Sequence, residues 1–162
     1  MHDTERTSDV VKSSRPTPPT LKERSAVQRS VDRLLNELAP ERALRRGETL
    51  KLAVEAHRTP SGCILQAANV ALSVSWFADS TEDATLGELQ VVLWTGTVAR
   101  RGIARPALNA VVASELALHP VLDAENGSTW VARDGQTFDS ASLAAHCLAL
   151  LERSRGEGDL SE

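Results

Sequence analysis

Residues 59–78 carry no charged side chain, and that single run restricts the fold more than any other part of the chain. A charge-free stretch of about 20 residues has the length of a membrane-crossing helix. Its content argues for a strand instead. Pro60, Ser61, Gly62, Gln66, Asn69, Ser73 and Ser75 interrupt it, and Val70, Leu72, Val74 and Trp76 alternate with Ala71, Ser73 and Ser75. An apolar side chain at every second position marks a strand with one buried face. The chain is therefore expected to be soluble, with no membrane contact, and to build a sheet.

The flanking segments have the other periodicity. Thr20 and Glu23 have the spacing of a capping box, in which hydroxyl and carboxylate satisfy the free amides at a helix start. Val27, Val31, Leu34, Leu35 and Leu38 then fall on one helical stripe. Pro40 removes an internal hydrogen bond, so the helix should kink or restart there, with Ala43 and Leu44 in a last turn before Gly47. At the far end Asp139 is the expected N-cap of a second helix, whose stripe is Leu143, Ala144, Cys147, Leu148 and Leu151.

Between the helices the pattern is that of strands. Leu50, Leu52, Val54 and Ala56 alternate with Lys51, Glu55 and His57, the residues at 59–62 supply turn chemistry, and Cys63, Ile64 and Leu65 begin a strand that pairs back. Asn69 marks a bulge or a second turn. The run 89–98 is apolar on both faces and belongs in the middle of the sheet. Asn126 and Gly127 suit a hairpin between 121–123 and 129–133, and Asp134 with Gly135 makes a further turn. Residues 106–118 read either as a helix opened by Pro106 or as an extended arm, with the helix preferred.

These elements predict an α+β fold: an antiparallel sheet of about five strands, with an N-terminal and a C-terminal helix packed on one face and a short middle helix. The order is similar to that of small homodimeric or partner-binding folds of the secretion-chaperone type, in architecture and without a shared motif. A length of 162 residues suits one domain, placed at 20–154. The segments 1–19 and 155–162 are too polar to offset the entropy of ordering and are expected to be disordered tails. Two cysteines, Cys63 and Cys147, make no disulfide framework, which points to a reducing, cytoplasmic location.

Catalytic vocabulary is sparse. No serine lies in a Gly-x-Ser-x-Gly elbow, and neither cysteine has a recognisable histidine partner. His57, Cys63, His146 and Cys147 include metal donors, but adjacent His146 and Cys147 point too far apart on a helix for a closed site. Asp79, Glu82, Asp83 and Glu88 cluster without the spacing of a calcium loop, and read as a solvated connection. No glycine-rich phosphate motif is present. No cofactor or metal is expected.

Charge provides the remaining lead. The formal net charge is -4, yet residues 100–113 hold Arg100, Arg101 and Arg105 without an acid, and 20–46 hold seven bases against four acids. Guanidinium groups bind carboxylates and phosphates in bidentate fashion. Only Trp76, Phe77, Trp94, Trp130 and Phe138 are aromatic, too few to stack bases, so nucleic acid is a poor partner. The sequence thus favours a non-enzymatic interaction module, an adaptor or chaperone-like homodimer or the binder of a protein partner, with Arg100, Arg101 and Arg105 as contacts. The alternatives are a small enzyme drawing on Asp79, Glu82, Asp83, His57 or His119, and a nucleic-acid binder that adds Arg42, Arg45 and Arg46.

Overall fold

The structure is a computed structural model and describes residues 17–39, 54–78, 85–98, 110–124 and 127–158. Helix α1 (Leu21–Glu37) starts as expected: Thr20 Oγ1 accepts from the Glu23 amide, and the Glu23 carboxylate accepts from the Thr20 amide. Its stripe is buried at Val27, Val31 and Leu34 and continues in the C-cap Leu38. The kink at Pro40, the turn at Ala43 and Leu44, and the first part of the strand expected from Leu50 lie outside the described residues.

Among the described residues seven strands follow: β1 (Glu55–Thr59), β2 (Gly62–Ala67), β3 (Val70–Phe77), β4 (Glu88–Thr95), β5 (Val111–Leu122), β6 (Ser128–Ala132) and β7 (Thr137–Phe138). They form one antiparallel sheet in sequence order. Helix α2 (Ser140–Gly158) closes the chain. Thr59 pairs with Gly62 across the turn at Pro60 and Ser61, and Ala67 pairs with Val70 across the turn at Ala68 and Asn69. Ala68 takes a φ of 44°, a positive value of the kind that favoured two-residue hairpin turns place at their first central residue. Gly62 is needed for a different reason. A Cβ built there lies 1.7 Å from the Val74 carbonyl oxygen, so β2 approaches β3 too closely for any side chain.

The count of about five strands and the middle helix are corrected. Residues 111–118, assigned to the helix, are the first part of β5, and Thr137 and Phe138 add β7. Val111 and Val112 are β-branched and favour a strand. Pro120 fits within β5 because it lies past the last pair with β4, Leu89 with Leu118, where no amide is owed on that side. The central place of 89–98 holds, since β4 is the fourth strand of seven.

The register sorts side chains onto two faces. Cys63, Leu65, Leu72, Val74, Leu89, Val91, Leu118, Trp130 and Phe138 face the helices and join α1 and the Leu143, Ala144, Cys147, Leu148 and Leu151 stripe of α2 in one core. Trp130, fully buried, meets Trp76 edge-on at 5.8 Å and donates its Nε1 hydrogen to Ser140 Oγ at 3.3 Å. Ser140 Oγ donates in turn to the Ser30 carbonyl oxygen at 3.3 Å. That chain of contacts ties the sheet to the start of α2 and the middle of α1. No helix among the described residues is long and apolar enough to cross a membrane.

Candidate protein-binding face

Because both helices lie on one side, the other side of the sheet is left without a helical layer among the described residues. It is not uniformly polar. Ile64, Val92, Trp94 and Val131 are half-buried there, and Phe77, Val112 and Val121 are exposed. The register runs His57, Ile64, Ser73, Val92 and Glu115 across five strands in one row. Trp94 is pinned to this face by its Nε1 hydrogen, donated to Ser73 Oγ at 3.0 Å. A depression between β4, β5 and β6 is edged by Glu88, Gln90, Val92, Glu115, Ala117 and Arg133.

Gln66 organises one end of the face. Its Nε2 donates to the carbonyl oxygens of Ala68, Val70 and Gly96 at 3.1, 3.0 and 3.3 Å, and its Oε1 accepts from the Val98 amide at 2.9 Å. The segment 96–98 is thereby folded back from the end of β4 towards β2. A buried polar side chain is tolerated where its hydrogen-bonding groups are satisfied, and Gln66 meets that condition. Nothing in its local sequence signals the role, since two of its partners are some thirty residues away.

The expected contacts Arg100, Arg101 and Arg105 lie outside the described residues, as do Arg42, Arg45, Arg46, Asp79, Glu82 and Asp83. The remaining candidates do not converge. His57 is on β1 and His119 on β5, four strand spacings apart, or about 19 Å at ~4.8 Å each. His57 Nε2 stands 3.5 Å from Glu55 Oε2, without hydrogen-bond alignment. Glu115 is opposite Val92, four residues along β4 from Glu88, so about 13 Å of strand separates the two carboxylate positions. Gln90 Nε2 donates to Glu88 Oε1 at 2.9 Å.

The sheet also divides the metal donors. Cys63 and Cys147 are buried on the helix side, whereas His57 is on the opposite face. His146 packs its ring 5.1 Å from that of Phe138. Among the described residues no group of three or more His, Cys, Asp or Glu side chains is placed to hold a metal ion. Burial pushes the Cys63 thiol up to about 11, against a partial pull downward from Arg58. Burial pushes Cys147 up to about 12, and its proximity to Cys63 adds to the rise. Neither is a thiolate near neutral pH, and the thiolate is the nucleophile and metal ligand. The chain matches no family model, no curated protein and no solved structure.

Proposed function

We propose that this protein is a non-enzymatic, cytoplasmic protein-interaction module, an adaptor or chaperone-like protein, whose working surface is the sheet face opposite the helices. The observation that supports this reading is the exposed apolar group on that face, Phe77, Val112 and Val121, set beside half-buried Ile64, Val92, Trp94 and Val131. On that face Glu88, Glu115 and Arg133 stand among the apolar side chains rather than around them, with Val112 and Val121 nine residues, or about 30 Å, apart along β5. Exposed apolar side chains mixed with charge suit association with a protein partner. The chain leaves the described residues at Val98, whose amide is held by Gln66 on this same face, and runs from there into Arg100, Arg101 and Arg105. In this reading those arginines supply the basic contacts.

A photo-crosslinking amino acid placed singly at Val92, Val121 or Val131 tests the reading in the native cell. Discrete adducts from these positions, with none from Leu21 on α1 as a control, are expected. An identical adduct pattern from Leu21, or no adduct from any of the three, overturns it.

A further inference from the structure

The longest strand of the sheet is only half used. β5 pairs with β4 over 111–118 and with β6 over 118–122, so among the described residues no strand lies along the other side of 111–117. Residues 111–115 are all exposed, with Val111 at 63% and Val112 at 42%. Five exposed residues in succession mean that both faces of this arm, as well as its edge, stand clear of the helices. A free edge presents unpaired amide and carbonyl groups, and another extended strand is the group that satisfies them in series.

The edge strand β1 and the overhang of β5 beyond β6 are treated differently. β1 at the far edge is five residues long, with Glu55, His57 and Arg58 among them, the shortness and charge that discourage edge pairing. The free part of β5 reads Val111, Val112, Ala113, Ser114, Glu115, Leu116, Ala117 and holds one charge in about 23 Å of edge at ~3.3 Å per residue. It contains neither lysine nor proline.

We infer that residues 111–117 form a homodimer interface, the β5 edge of one copy pairing antiparallel with the same edge of a second copy across a twofold axis. This rests on the reading above that the protein works by association, and it names one partner. A second copy suits the edge for three reasons. Antiparallel pairing of a strand with itself is what a twofold axis produces, and it consumes the edge in both copies. Pairing of β5 with the β1 edge of another copy is head-to-tail and leaves edges free to propagate into a filament. The only carboxylate, Glu115, faces its counterpart solely when the axis passes through residue 115, so every neighbouring register avoids like charges directly opposite. Val111 and Val112 are then covered by the partner's strand.

Sedimentation equilibrium of the full chain tests the inference, with double electron–electron resonance on a spin label at Ala113→Cys as a second reading that needs no destabilising change. The expected result is a dimer with label separations within about 20 Å, two label arms beyond the ~5 Å strand spacing. The Val111→Lys/Val112→Lys variant should keep its circular dichroism and dissociate at least tenfold more readily, whereas Leu21→Lys, on exposed α1 surface, should not. A monomeric wild-type protein overturns the inference, as does a dimer with labels much farther apart or one indifferent to both lysines. Crosslinks from Val92 or Val131 to another protein would still stand in those cases; their absence overturns the function reading itself.

Discussion

Raising the pH should remove stability that the two buried thiols hold at neutral pH, by an amount that the structure sets. In the unfolded chain a cysteine titrates near 9.0, whereas in the folded protein burial raises Cys63 to about 11 and Cys147 to about 12. Both folded values lie above the unfolded one. Between about 9 and those values the unfolded chain has released protons that the native state retains, so stability is intact below about 9 and falls as pH rises. At pH 10 about nine in ten unfolded thiols are ionised and few native ones are, roughly a tenfold ratio and ~1.3 kcal/mol for each thiol. The pair together should lose roughly 2–3 kcal/mol between pH 8 and pH 10.

Lysines and other groups titrate over the same range, so the useful quantity is a double difference. Urea denaturation under reducing conditions gives the stability of the wild type and of Cys63→Ala/Cys147→Ala at both pH values. The double variant starts lower, because each substitution removes a buried sulfur from the core. The gap between the two proteins should then narrow by roughly 2–3 kcal/mol at pH 10. A gap constant to within about 0.5 kcal/mol would contradict this account, since a tenfold difference in proton affinity between the folded and unfolded states is worth about 1.4 kcal/mol. It would mean that the thiols are hydrated in the folded state.

Other substitutions probe the contacts that hold the sheet to its helices and shape the open face. Trp130→Ala removes the fully buried ring between Trp76 and Ser140 and should cost about 3–5 kcal/mol in urea denaturation. Gln66→Leu strips the Val98 amide of its acceptor, with an expected loss of about 1–3 kcal/mol and faster hydrogen exchange at Val98. Ala68→Gly should raise stability by about 1 kcal/mol, because glycine adopts the φ of 44° without the Cβ cost. Gly62→Ala, by contrast, drives a methyl group into the Val74 carbonyl and should destabilise by at least about 2 kcal/mol; full stability would mean that β2 and β3 separate more easily than their register implies.

Local rules made the two helices readable. The capping box at Thr20 and Glu23, the stripes of α1 and α2 and the Asp139 cap, whose Oδ1 accepts from the Ser142 amide at 2.6 Å, all follow from residues within four positions of one another. Period-two alternation likewise revealed β3, turn residues revealed the hairpin at 60–61, and Asn69, legible as a bulge or a second turn, lies in the turn between β2 and β3. The same rules were silent or misleading where local signals are weak. β7 is two residues long, too short for any period, and exists because Phe138 pairs with Trp130. Residues 106–118 combine a helix-starting proline with β-branched valines, and pairing with β4 decides for the strand over 111–118. The candidate arginines were legible only as a run of charge.

The order of residues is thus enough to specify the kind of each strongly periodic element and the side of it that avoids water, since both depend on neighbours along the chain. Packing between distant elements was needed to place both helices on one side of the sheet, to leave Phe77, Val112 and Val121 exposed on the other, and to let β5 overrun β6. Those outcomes depend on which elements meet across large separations. A strand's two edges carry the same backbone donors and acceptors, so which of them is covered depends on neighbours distant in sequence.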